Sequence, residues 1–282
     1  MKELHKLTTE DIANMDYNQL ISLVRETNRA PGGYKTIANV IHNTFLNSTH
    51  NVLEVGTSTG VTALELARLV GCHVDAIDIN ERSLVEARTR AKEAHLDGLI
   101  DFQQEDAQML SFSNEMYDLV FCGNVTSLIP DRKKALAEYI RVLKKDGILV
   151  AVPMYYLRNP SNDLLNIVRN AIQTDVQVVS KAYWKSFYDH PEMVLKFEED
   201  YKFDYIPDEQ LERFIQCILG REFLQELKPE VYSFLREKYT KYLYLFRDNL
   251  AHMGYSILLY QKAGYGSEPE LFRGTVLGGY QS

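Results

Sequence analysis

Between Asn51 and Pro153 short apolar runs alternate with amphipathic stretches, and this repeat restricts the fold more than any other feature of the chain. Residues 52–55, 73–79, 100–104, 117–122 and 147–153 read as strands, each an almost continuous apolar run. Residues 62–70, 81–95 and 132–144 carry apolar positions at helical spacing. Strands that are apolar throughout are buried on both faces, which requires a parallel sheet covered by helices. Right-handed crossovers then make the fold doubly wound.

The flanks depart from this repeat. Residues 9–28 open with acids after Thr8 and Thr9 and read as an amphipathic helix or helix pair. The pattern breaks at Asn28-Arg-Ala-Pro-Gly-Gly-Tyr34, which is either a connector or a loop that folds over a ligand with Arg29 and Tyr34. A helix over 34–46 leads back to the first strand. After Pro153, residues 155–228 are rich in tyrosine, phenylalanine and acids and read as an insertion of helices and loops. Pro229 suits the first turn of a long helix reaching about residue 252. Two strand candidates, 255–262 and 271–277, then suggest a C-terminal antiparallel hairpin. The expected parts are an N-terminal helical segment with a covering loop (1–48), a ligand-binding core (49–154), a helical lid (155–228), and a final helix and hairpin completing the core sheet (229–282).

At 282 residues, 45% hydrophobic and 25% charged, the chain suits one large domain with an insertion. A net charge of -8 argues against a nucleic-acid partner, because phosphate binding needs a dense basic face. Arg132-Lys133-Lys134 then reads as a solvated helix face. Cys72, Cys122 and Cys217 have no short paired spacing, so neither a metal site nor a disulfide framework is expected, and a reducing cytoplasm is the expected location. No signal pattern opens the chain and no run of about 18 apolar residues occurs, so no membrane association is expected.

In an open parallel sheet, ligands bind beyond the carboxyl ends of the strands, where the strand order reverses. Four such ends are legible. The first carries Glu54 and the turn Gly56-Thr-Ser-Thr-Gly60, whose glycines let backbone approach a ligand closely. Glu54 can meet an ammonium group. The second carries Asp78, suited to ribose hydroxyls, the third Glu105-Asp106-Ala107, where a carboxylate can meet an adenine amino group, and the fourth Cys122-Gly-Asn-Val-Thr-Ser127.

The ordered motifs VLEVGTSTG, VDAIDIN, IDFQQEDAQMLSF, YDLVFCGNVTSLIPDRKKAL and RVLKKDGILVAVP resemble those of the class I S-adenosylmethionine-dependent methyltransferases. The resemblance implies a Rossmann-like, mostly parallel seven-stranded sheet with a helical lid after the fifth strand. It implies S-adenosyl-L-methionine as cofactor, with S-adenosyl-L-homocysteine as product. Glu54 and the turn from Gly56 through Thr57 and Ser58 to Gly60 would hold its methionine part and Asp78 its ribose. Ile79, Asp106 and Ala107 would meet adenine, and Asn124 would lie near the sulfonium. Ser58 departs from the family, where glycine is usual. A dinucleotide dehydrogenase is disfavoured, since its G-x-G-x-x-G is absent from Gly56 onward and Glu54 would repel a pyrophosphate.

A small-molecule acceptor is expected, methylated on oxygen or nitrogen. Gly123-Asn124-Val125-Thr126 replaces the Asn-Pro-Pro-Tyr of enzymes that methylate exocyclic or amide nitrogens. Tyr155, Tyr183 and Trp184 are candidate pocket residues with Arg29 and Tyr34, and His190 is the candidate general base. The competing reading is a catalytically silent cofactor-binding protein that presents its insertion to a partner.

Overall fold

The computed structural model describes residues 4–27 and 29–264. Two short helices, α1 (Thr9–Ala13) and α2 (Tyr17–Leu23), open the chain, each started by a capping box, Thr8 with Asp11 and Asp16 with Gln19. Helix α3 (Tyr34–Thr44) follows the proline-glycine turn. The alternating region then gives β1 (Asn51–Val55), α4 (Val61–Val70), β2 (His73–Asp78), α5 (Glu81–Glu93), β3 (Ile100–Gln104), β4 (Tyr117–Cys122), α6 (Arg132–Val142) and β5 (Leu143–Ala151). Strand β5 begins inside the stretch expected to end a helix. Lys144 there turns to Asp118 at 2.9 Å and joins the start of β5 to β4.

The order β3-β2-β1-β4-β5 is parallel throughout, and it reverses at β1, which is flanked by β2 and β4. Side chains alternate between two cores. Val52, Val74, Leu119 and Val150 face α3, α4 and α5. Leu53, Val55, Ile77, Val120 and Leu149 face α6.

The insertion after Pro153 is only partly helical, which corrects the sequence reading. It supplies β6 (Met154–Tyr156), α7 (Asn162–Ile172), α8 (Lys181–Tyr188), β7 (Met193–Lys202) and α9 (Asp208–Leu219). After α10 (Pro229–Leu250), β8 (Met253–Lys262) enters the sheet antiparallel to β5. Leu258 pairs with Ala151 on one side and Glu198 on the other, and Tyr255 pairs with Met154 and Tyr201. Strand β6 therefore continues the line of β5 along one edge of β8, and β7 occupies the other edge. The antiparallel partner of β8 is β7, drawn from the insertion, and the sheet has eight strands among the described residues; the stretch 271–277 lies outside them.

Helix α10 packs against α1, α2, α7 and α9 and meets the sheet at its C-terminal end, where Asn249 Oδ1 accepts the Tyr156 hydroxyl at 2.9 Å. Leu20, Ile215, Leu235 and Tyr239 share this separate helical core. No helix among the described residues is long and apolar enough to cross a membrane.

Candidate functional site

Glu54 lies near the end of β1 and is 3% exposed. Its Oε2 accepts the Thr57 hydroxyl at 2.6 Å, and Thr62 and the Ala63 amide also hydrogen-bond to it. Burial pushes its pKa up to about 7 despite these donors, with the nearby Asp78 charge adding to the rise. The carboxylate thus fastens the glycine turn to the first turn of α4, whose free amides favour an acid there.

The turn itself uses the left-handed region three times, at Gly56 (φ 76°), Ser58 (φ 51°) and Gly60 (φ 80°). A Cβ on Gly56 would stand 2.5 Å from Val125, and one on Gly60 2.8 Å from Ala87. Ser58 shows why serine is tolerated where glycine is expected: its dihedral falls in the small left-handed region open to other residues. Its amide donates to Asp78 Oδ2 at 2.8 Å, and the Asn80 amide donates to Oδ1 at 2.9 Å. Asp78 thereby joins the ends of β1 and β2, and burial raises its pKa.

Beyond Asp78, Ile79 is 70% exposed, and Met109, after the third strand end, is 72% exposed. These apolar side chains flank Asp106, whose carboxylate accepts from the amide and side chain of Gln108, which lower its pKa, and Ala107, which is buried. At the end of β4, Asn124 Oδ1 accepts the Met154 amide at 3.0 Å, pinning the start of β6 to the β4 turn. The turn's Val125 covers Gly56. The loop before α3 reaches the same place, since a Cβ on Gly123 would lie 3.5 Å from that of Ala30. Ten predicted cofactor residues therefore gather at the carboxyl ends of β1 to β4, around the reversal of strand order: Glu54, Gly56, Thr57, Ser58, Gly60, Asp78, Ile79, Asp106, Ala107 and Asn124. Glycines at close approaches, a carboxylate with free lone pairs, and exposed apolar side chains fit an adenosyl amino-acid cofactor.

The candidate acceptor residues divide. Tyr155 lines a cleft of about 410 Å³ beyond β6, together with Lys181 and Asp200. Its hydroxyl lies 3.2 Å from Ser256 Oγ, which donates to Asp200 at 2.7 Å. Lys181 pairs with Asp200 and Glu198, and these contacts hold both acids below their usual range. Tyr183 accepts Arg132 Nη1 at 3.0 Å, while Arg132 Nη2 donates to the Ser127 carbonyl, so Tyr183 stands at the turn after β4. Arg132, read from the sequence as a solvated face, is thereby part of this wall.

Other expectations are corrected. Trp184 is 1% exposed, with its indole donating to the Met154 carbonyl at 2.8 Å, and is a wall of the core. Arg29 turns to Glu65 on the flank of α4 at 2.8 Å, and Tyr34 points to solvent. His190 precedes Met193, which pairs with Lys262, and the Lys262 ammonium donates to the Ile140 and Leu143 carbonyls at the start of β5. His190 therefore lies at the amino ends of the parallel strands, opposite the cofactor residues, and is no base for chemistry there. His73, Asp75 and Asp101 come within 4.8 Å of one another, also at the amino ends, with Asp75 engaged by Tyr117 and Gln103.

Residues 53–151 match the methyltransferase domain family. An uncharacterized protein of Haemophilus influenzae is 31% identical over 173 residues, which cover 61% of this chain and 69% of that protein. This chain belongs to the class I S-adenosylmethionine-dependent methyltransferases. The family's cofactor is S-adenosylmethionine. The ribosomal protein L11 methyltransferase of Dictyoglomus turgidum is 27% identical, over 62% of this chain and 56% of its own length. The chain thus spans little more than half of that relative. Among solved structures, the MccD protein has a TM-score of 0.70 at 24% identity, covering 83% of this chain and all of that one. Phosphoethanolamine N-methyltransferase 2 of Haemonchus contortus, solved with S-adenosyl-L-methionine, has a TM-score of 0.67 at 16% identity, covering 91% and 57%. These two likenesses are of fold.

Proposed function

We propose that this methyltransferase transfers a methyl group to an oxygen or nitrogen of a small molecule held between the β4 turn, Tyr155 and the Arg132–Tyr183 wall. The observation that carries this reading is the convergence of the β4 turn, the start of β6 and the Ala30 loop on one side of the cofactor residues. In this reading Glu54 and the glycine turn hold the amino-acid part of the cofactor, Asp78 the ribose, and Ile79 and Asp106 the adenine. When bound, the cofactor supplies a methyl carbon already activated by the sulfonium. The protein's part is orientation and exclusion of water. Asn124 fixes the turn that faces the acceptor, and Tyr183 closes its far side. A base is needed only for an acceptor that stays protonated at neutral pH. The cleft's own proton acceptor is Asp200, kept ionised by Lys181. The relatives' acceptors range from a ribosomal protein to phosphoethanolamine, and the volume of the Tyr155 cleft, about 410 Å³, suits the smaller class.

Calorimetry with S-adenosylhomocysteine on the wild type and Asp78→Ala tests the cofactor assignment. At least about tenfold weaker binding is expected from losing charge-assisted hydrogen bonds. Equal affinity, or none in either protein, overturns it. Methyl transfer to phenol, carboxylate and amine acceptors then tests the acceptor class.

A further inference from the structure

A second cleft, of about 570 Å³, opens on the flank of α4 and α5, where the N-terminal segment and the connection after α9 meet the core. Arg25, Arg29, Arg68, Arg90 and Arg221 line it, against Glu65 and Glu93, in a chain whose overall charge is -8. Part of this charge is used within the fold. Arg90 and Arg221 donate to the carbonyls of Val24, Arg25 and Glu26 at the end of α2. The buried Glu86 holds Arg25 and Arg90, Glu93 accepts Arg25 Nη2 at 3.2 Å, which leaves only Nη1 of Arg25 free toward the cleft among the described residues, and Glu26 lies behind on the Tyr239 hydroxyl. Counting both of these acids still leaves a positive surplus.

Two features are unexplained by the fold alone. Arg68 is exposed and has no hydrogen bond or ion pair among the described residues, and Arg29 engages only its Nε. Glu65 accepts that contact with Oε1, while its Oε2 is buried with no hydrogen-bond partner among the described residues. Buried polar atoms are rarely left this way. The cleft therefore presents free guanidinium forks, which match phosphate oxygens, beside one acceptor short of a donor. Its volume lies in the range of small-molecule sites, about 300–1,000 Å³.

We propose that this cleft is a second ligand site, separate from methyl transfer, that binds a small phosphate ester through Arg29, Arg68 and Arg25 while the Glu65 carboxylate turns so that Oε2 accepts a ligand hydroxyl. Because Arg25 and Arg29 come from the N-terminal segment, Arg221 from the insertion and Arg68 from the core, the bound ester ties the helical unit to the sheet.

Fructose 1,6-bisphosphate and inorganic pyrophosphate are suitable probes, since only the first carries hydroxyl groups. Titration calorimetry on the full chain is expected to show saturable binding of the bisphosphate, weakened by rising salt as screening requires. Arg68→Glu should weaken it at least tenfold. Arg213→Glu, on the exposed face of α9, should leave it unchanged. Glu65→Gln should tighten pyrophosphate several-fold by removing a like charge, while improving the bisphosphate less because the hydroxyl acceptor is weakened. S-adenosylhomocysteine affinity, unchanged in Arg68→Glu, reports that the variant is folded and separates this test from that of the methyltransferase site. No saturation by either probe up to about 10 mM, or equal bisphosphate affinity in Arg68→Glu, overturns the proposal.

Discussion

At neutral pH about half of the Glu54 carboxyls hold a proton, because burial raises the pKa to about 7 from an ordinary 4.5. Between those two values the folded chain binds more protons than the unfolded one, so stability falls as pH rises, and the loss is complete above the folded value. A difference of this size corresponds to about 3 kcal/mol. Asp78 is shifted in the same direction and adds in the same sense. Glu54→Gln, which can still accept the Thr57 hydroxyl, is expected to flatten the decline between roughly pH 5 and 8. Urea unfolding at a series of pH values measures it, and an unchanged slope would contradict the assignment. The neighbouring turn gives an opposed pair of expectations. Ser58→Gly relieves a left-handed residue but loosens the unfolded chain, so stability should stay within about 0.5 kcal/mol of wild type. Gly60→Ala adds a Cβ at φ 80° against Ala87 and Phe102, and should destabilise by about 2–4 kcal/mol while abolishing cofactor binding. Thermal unfolding of both variants checks the contrast.

Helix α8 and strand β7 show at the level of elements how charge substitutes for burial at a sheet edge. Strand β7 is half exposed and carries Glu198, Glu199 and Asp200, which discourage further strands from pairing with it. Lys181 and Lys185 of α8 reach across to Glu198, and Lys181 also to Asp200. These groups remain partly exposed, so Lys181→Met should destabilise by only about 1 kcal/mol, and the effect should shrink in 1 M salt. A double-mutant cycle with Asp200→Asn measures the coupling, and a coupling near zero would show that α8 is held by Trp184 and Tyr188 alone. The same edge marks where sequence reading failed. Strands β1 to β4 were legible to within a residue because they are apolar on both faces and sit between helices of clear period. The segment MVLKFEEDYK alternates Leu195, Phe197 and Tyr201 with charged residues, but Glu199 interrupts the pattern and its partner in β8 lies more than fifty residues on, so the local signal for a strand is weak. The convergence of the candidate cofactor residues was legible for the converse reason: each lies at or just after a strand end, and strand order then brings them together. Arg29, Trp184 and His190 lie in loops or the insertion, where direction is set by tertiary packing that no local pattern records.

For the whole molecule, the division into a sheet unit and a helical unit is the main consequence of the chain's path. The helical core joins Leu7, Ile12, Leu20 and Val24 from the start of the chain to Leu211, Ile215, Leu235 and Tyr239 from its last third. It has no strand and no share in the two sheet cores; Arg25 and Arg90 on Glu86 and Ser22 against Ser83 attach it to α5, and the end of α10 meets β6 and β8 through Leu250 and Asn249. A unit joined in this way can open without unfolding the sheet. Leu235 is fully buried among these helices, so Leu235→Ala removes its side chain from a packed interior and should cost about 2–5 kcal/mol in that unit. Native-state hydrogen exchange locates the loss. Amides of α1, α2, α9 and α10 are expected to exchange together and faster, while those of β1, β4 and β5 keep wild-type protection. Uniformly faster exchange in helices and sheet would show one cooperative unit and refute the division. If the division holds, S-adenosylhomocysteine affinity should change little in this variant, because Glu54, the glycine turn and Asp78 are all held by the sheet unit.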